Sequence, residues 1–321
     1  MNLVKFNRAQ ALALPFALLA AASAAVAAQQ APAAEGVPVR ITVTAAAKAK
    51  GQEPPALTKD DILIYQNHDR RRVLESVRQT GPADKLDLYI LVDEAIDSDV
   101  TLNYRDIGNF VHELPASARV GVLFALNGTV SIPQDLTDNR DAALKALRIP
   151  YGRVRAGGGV FLSLADLAKR LPPSPDRRRA ILFLSSGIDL FRGFQDTYPG
   201  LNPDLDVAIS RLNRSGITVY PIYVTPAAHF ARSLFLVSNG QSCLSRLADE
   251  TGGEAYFQGF QTPISMKPFL EDMARHLGDQ YLVTFVAKPG KKSGYERIRV
   301  STELSGVEVT GPARVYVPAA Q

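Results

Sequence analysis

The residues with chemistry to offer begin at Asp93, where the acids Asp93, Glu94, Asp97 and Asp99 follow the largely apolar stretch Leu86-Asp87-Leu88-Tyr89-Ile90-Leu91-Val92. Carboxylates so placed either ligate a hard divalent cation or cap the backbone N–H groups of a loop. Ser185-Ser186-Gly187 ends a second apolar run, but no Gly-x-Ser-x-Gly elbow surrounds these hydroxyls. His68, His112, His229 and His276 are scattered and form no His-x-x-x-His pair. Cys243 is the single cysteine, which excludes an intramolecular disulfide and a thiolate metal cluster. Gly157-Gly158-Gly159 lacks the Lys-Ser/Thr of a phosphate loop. No nucleophile, base and orienter come together, so an enzyme is not expected.

These residues need elements to hold them. From Leu88 to Val92 the chain is apolar without alternation, which suits a strand covered on both faces. Asp93 then falls at a carboxyl end, where open α/β sheets present their crevice. Beyond it, helical spacing at 104–114 is followed by a strand at 119–126 and a short one at 129–132. Asp138 is placed to cap a helix to about 147, and a helix at 160–171 is stopped by Pro172-Pro173. Strands at 180–184, 218–224 and 255–257 alternate with helices at 207–212, 244–250 and 264–277. Such alternation predicts an α/β domain over 82–278, a mostly parallel sheet with helices on both faces.

The flanks read as β. Residues 37–44 on one side, and 280–286, 295–302 and 307–317 on the other, alternate apolar with polar, and 61–65 and 72–78 read as two more strands turned at Asn67-His68-Asp69. Neither set can cover its own apolar face. One β-sandwich built from an N-terminal module (37–81) and the C-terminal strands (279–317), with the α/β domain inserted between them, gives each a partner.

Composition sets the bounds. A chain of 321 residues, 46% hydrophobic and 21% charged, can bury a sizeable core. The formal charge of +4 drops to +2 (4 − 2) without Lys5 and Arg8, and no basic stripe with interleaved aromatics points to nucleic acid. Lys5 and Arg8, the apolar run 11–22 and Ala25-Val26-Ala27 read as a cleavable export signal over 1–28, with a tether at 29–36. No later run approaches the ~18 apolar residues of a spanning helix, so a periplasmic or secreted protein without a transmembrane segment is expected.

Five stretches together resemble a von Willebrand factor A (VWA) domain: Val92-Asp93-x-Ala95-x-Asp97, Gly157-Gly158-Gly159, Leu184-Ser185-Ser186-Gly187, Gly216-Ile217-Thr218-Val219-Tyr220, and Leu247-Ala248-x-x-Thr251-Gly252-Gly253. With the flanks Leu57-Thr58-Lys59-Asp60-Asp61-Ile62 and Gln280-Tyr281-Leu282, the chain over about 37–317 is similar to bacterial secreted VWFA-related proteins. The resemblance implies a Rossmann-like sheet and a protein ligand held through a divalent cation at its carboxyl edge. The family site uses Asp-x-Ser-x-Ser, a Thr and a second Asp. Here those positions carry Asp93, Ala95, Asp97, Gly159 and Ser186. Ala95 and Gly159 bring no side-chain oxygen, so the adhesion site reads as degenerate, with Asp93, Asp97 and Ser186 as the residual ligands. No cofactor is expected, although the acidic loop could still hold Ca2+ or Mg2+.

The implied partner is a protein, taken at the rim by Phe191, Arg192, Phe194, Tyr198, Phe230, Arg232 and Phe235 on the long segments 188–205 and 225–242. Two other readings stay open: a structural or assembly component of the cell envelope, and residual cation-dependent adhesion at Asp93 and Asp97. Oligomeric state is not legible.

Overall fold

The computed structural model describes residues 36–49, 52–152, 159–171, 173–174, 176–227 and 233–319. All of them fall in one compact unit, Ala34–Gln321. The expected export signal, Gly157, Gly158, His229, Phe230 and Arg232 lie outside the described residues.

In chain order the strands are β1 (Val37–Ala47), β2 (Leu63–Gln66), β3 (Asp69–Arg71), β4 (Val73–Arg78), β5 (Leu86–Asp93), β6 (Arg119–Leu126) and β7 (Thr129–Thr137). They continue with β8 (Arg178–Ser185), β9 (Ile217–Tyr223), β10 (Gln280–Ala287), β11 (Gly294–Ser301), β12 (Val307–Thr310) and β13 (Arg314–Val317). The helices are α1 (Tyr104–Glu113), α2 (Arg140–Lys145), α3 (Val160–Arg170), α4 (Pro203–Ser215), α5 (Leu234–Thr251) and α6 (Lys267–Gly278).

The central sheet has the order β7-β6-β5-β8-β9, with β7 alone antiparallel. Every residue of β5 is buried. Leu86, Leu88, Ile90 and Val92 meet Ile107 and Phe110 of α1 and Leu270 and Met273 of α6. Tyr89 and Leu91 join the opposite layer, with Phe161 of α3, Leu212 of α4 and Leu244 of α5. Each such side chain contributes about 1.5–3 kcal/mol, which is why the unbroken apolar run becomes the centre of the molecule. Asp87 interrupts that run at little cost because Arg119 and Arg177 both hydrogen-bond its carboxylate. Burial pushes its pKa up, but the two guanidinium groups outweigh it and hold it below the usual range.

Several boundaries differ from the sequence expectation. Strand β7 continues past Pro133 to Thr137, since an edge strand tolerates proline and its pairing with β6 is irregular there. Helix α2 is capped by Asn139, whose side chain accepts from Ala142 N at 3.0 Å, rather than by Asp138. Helix α4 starts at Pro203 with Asn202 as its cap. Residues 255–257 form no full strand: Tyr256 exchanges two 2.8 Å backbone bonds with Pro221 and Tyr223. Helix α5 begins at Leu234, so much of the expected loop 225–242 is helical. Gly240 lies inside it because the helix packs onto Ser186 and Gly187, where a Cβ at 240 would stand 2.3 Å from the Ser186 carbonyl oxygen.

The terminal strands interleave. One sheet runs β12-β1-β10-β4 and the other β13-β11-β2-β3. Ile41, Val43, Val283 and Phe285 from the first share an apolar cluster with Ile64, Ile298 and Val315 from the second. Asp279 alone separates α6 from β10. At that junction Arg178 pairs with Asp84 and donates to Gln280 Oε1 at 2.7 Å, and Gln280 donates to Tyr220 Oη at 3.0 Å. No helix among the described residues is long and apolar enough to cross a membrane.

Candidate functional site

Parallel pairing brings the ends of β5 and β8 together: Val92 is opposite Leu184, so the next residue of β8, Ser185, comes beside Asp93. Asp93 is 3% exposed. Its Oδ1 accepts from Ala95 N at 2.9 Å, and its Oδ2 accepts from Ser185 Oγ at 2.8 Å. Ser185 Oγ accepts in turn from Gly187 N at 3.0 Å. Of the two serines, it is Ser185 that holds Asp93; Ser186 Oγ accepts from Ile188 N at 3.3 Å.

The remaining family positions do not converge on a cation. Asp97 Oδ1 accepts from Asp99 N at 3.0 Å and caps the 3-10 turn Ser98–Asn103. The loop carrying it is clipped to the chain after β9, by Asp97 N to Thr225 O and Ala227 N to Ala95 O, both 2.9 Å. Gly159, before α3, has φ of +58°, and a Cβ there would come 3.2 Å from Gly128 N. A β-branched threonine at that position is therefore strained. Among the described residues, no three His, Cys, Asp or Glu side chains are grouped to hold a metal. The side chains at these positions offer few oxygens to a hard divalent cation. Two of the positions lack an oxygen, and the oxygens of Asp93 already face protein donors.

Burial pushes the Asp93 carboxyl up to about 6; Ala95 N–H and Ser185 oppose the shift, while Asp189 and Glu94 add to it. Asp189, 1% exposed, is likewise raised to about 6 by burial. It accepts from Phe191 N at 2.9 Å and, from the first turn of α3, Phe161 N at 3.4 Å. Glu94 is solved differently: Arg148 pairs with it and Tyr151 N donates to it at 2.7 Å. The Arg148 guanidinium lies 3.8 Å from the Phe124 ring centre and 4.3 Å from that of Tyr151. Sequence reasoning missed Asp189 and Arg148. Only Asp189 had a signal, a carboxylate soon after the Ser185-Ser186-Gly187 strand end.

On the rim, Phe194, Tyr198 and Phe235 form one group. Phe194 stacks on Phe235 at 5.4 Å and 12°, and Tyr198 meets Phe235 edge-on at 5.5 Å. Their exposures are 55%, 38% and 44%, so all three residues remain open to solvent in spite of their mutual contacts. Asn202 Nδ2 donates to Asp196 O at 2.7 Å and Asn239 Nδ2 to Thr197 Oγ1 at 3.3 Å, which ties the turn Phe194–Thr197 to α4 and α5. Phe191 is exposed beside Gly159. Arg192 is held by Asp204 through bonds of 2.9 and 2.8 Å.

Four of the five stretches lie at the end of β5, the end of β8, the start of β9 and the end of α5, and of the fifth Gly159 precedes α3. In fold, the α/β domain resembles von Willebrand factor A domains. No protein-family model matches the chain, and no curated protein does. Among solved structures it is similar to the conserved hypothetical protein BatB from Bacteroides thetaiotaomicron, at 16% identity and TM-score 0.34 over 43% of this chain. The chain spans 66% of that protein's length. It is also similar to the SpRpn10 VWA domain, at 15% identity and TM-score 0.37 over 59% of this chain and 93% of that one. A third is the vWF domain of the type V pili tip protein Mfa5 from Porphyromonas gingivalis, at 9% identity and TM-score 0.40 over 60% and 94%. At these identities and TM-scores, nothing about ligand, partner or residue role passes from these structures to this chain.

Proposed function

We propose that the chain is an exported, non-catalytic binding module that takes a protein partner on the aromatic rim at the carboxyl edge of its sheet, without a bound cation. The observation that carries this reading is the group Phe194, Tyr198 and Phe235, whose rings pack on one another yet stay open to solvent. Aromatic rings supply large contact area at small entropic cost, and rings already fixed by their neighbours lose little more on binding. Phe191 extends the apolar surface, and Arg192, its charge matched by Asp204, offers the outer face of its guanidinium. The missing oxygens at Ala95 and Gly159 favour recognition by contact over recognition through a metal. Export is supported by Lys5, Arg8 and the apolar run that follows them.

A photo-crosslinking residue placed at Phe235 in cells tests the reading. It requires a discrete protein adduct, lost in the Phe194→Ala, Tyr198→Ala variant while that variant still unfolds cooperatively, and absent when the crosslinker stands at Tyr295. An adduct of equal yield at Tyr295, or one indifferent to the truncated rings, overturns it.

A further inference from the structure

At the end of the central sheet opposite the rim, a cleft of about 430 Å3 opens between the outer face of β1 and β10 and the last turn of α4. Clefts of this size between structural units are the usual place for a small ligand. Four arginines line it, Arg40, Arg177, Arg178 and Arg214, and no carboxylate does among the described residues. The four are not equivalent. Arg177 is matched by buried Asp87, and Arg178 by Asp84. Arg214 has no carboxylate partner among the described residues; its guanidinium lies 4.2 Å from the ring centre of Tyr316 on β13. Stacking of this kind leaves the in-plane N–H donors of an arginine directed outward. On the facing wall, Arg40 stands beside Thr284 in the β1–β10 register, with Nε donating to Thr284 Oγ1 at 3.3 Å. Its ion pair with Glu75, at 3.9 Å, is exposed on both sides and therefore weak. The carbonyl end of α4 opposes an anion, but Gly216 N–H already bonds two of those carbonyls and Arg214 offsets the rest.

We infer that this cleft binds a small organic phosphate monoester, its phosphate held between Arg40 and Arg214 and its organic part against Leu282, Pro38 and Pro173. A phosphate presents more oxygens than a carboxylate, which suits donors arriving from two walls, including the hydroxyl of Thr284. The apolar wall and the volume call for more than a bare ion. The site is independent of the aromatic rim and makes no use of it.

The test is titration of the purified protein with glycerol 3-phosphate, followed by amide shifts at Gly216 and Thr284, alongside sedimentation with phosphatidic acid vesicles. The expected result is saturable binding with a dissociation constant on the order of 1 mM or tighter. Arg40→Gln and Arg214→Gln should each weaken it at least about tenfold with unchanged melting. Arg211→Gln, on the same helix but bonded to Ala165 O and outside the cleft, should leave it intact. Binding of the soluble ester assigns the phosphate to a free metabolite; binding of vesicles alone, lost in the same two variants, assigns it to a lipid headgroup. Absence of saturable binding in both arms, or equal weakening by Arg211→Gln, overturns the inference.

Discussion

Ser185 donates its hydroxyl hydrogen to Asp93 Oδ2 at 2.8 Å, so a neutral side chain of the neighbouring strand completes the carboxylate's coordination. With Ala95 N on the other oxygen, Asp93 works as a clamp that fixes the turn after β5.

The clamp should respond to pH with a definite sign. Asp93 and Asp189 are both raised to about 6 from an ordinary 3.8. Between about pH 4 and 6 the folded chain then binds protons that the unfolded chain releases, so their stabilising contribution is full below pH 4 and is lost as pH rises through 6. Asp93→Asn removes one of the two groups. Denaturation at several pH values should find the variant gaining on wild type from pH 4 to 7, by on the order of 2 kcal/mol. A constant difference would show that Asp93 titrates normally.

Divalent cations should find no seat. Calorimetry with millimolar Ca2+ or Mg2+ is expected to give only the heat of dilution in wild type and in Asp93→Ala alike. A saturable heat in wild type that disappears in the variant would return the edge to cation-dependent adhesion.

Removing one half of the Glu94–Arg148 pair should cost more than removing both. Arg148→Met leaves a carboxylate that is 1% exposed without its cation, an expected loss of about 3 kcal/mol. That figure sits at the low end because the Arg148 side chain is 35% exposed. Glu94→Gln with Arg148→Met should recover at least about half of it, as read by urea unfolding.

Gly240→Ala should reverse the usual sign. Inside a helix that change ordinarily gains up to about 1 kcal/mol. Here the added methyl would stand 2.3 Å from Ser186 O, and backbone must move to admit it. A net loss of about 1–3 kcal/mol is expected in thermal unfolding, and a gain would contradict the close approach of α5.

A double-mutant cycle on Phe194→Ala and Phe235→Ala should return a coupling of about 0.5–1.5 kcal/mol, as for other aromatic pairs. Zero coupling would mean the rings do not stack in solution.

How far the chain could be read from sequence varies element by element. β5 was legible because a strand buried on both faces admits only apolar residues, and Asp87 is excused by its two arginines. The extent of β7 was not, since Pro133 stops most strands and only its edge position exempts it. The start of α5 was hidden by Gly240 and its polar neighbours, whose reason lies in contact with Gly187 across the fold. The same gap concealed the aromatic group: Phe194, Tyr198 and Phe235 were named singly, but their stacking requires Phe235 to be helical. Whether Ser185 or Ser186 serves Asp93 turns on the parity of one parallel register. Arg148 finds Glu94 from 54 positions away, a distance over which composition and spacing carry no information.

The single residue between α6 and β10 has a mechanical corollary. A load pulling on the terminal strands meets no slack before it reaches the helical layer under the central sheet. Tension on one half of the molecule is therefore felt at once by the other.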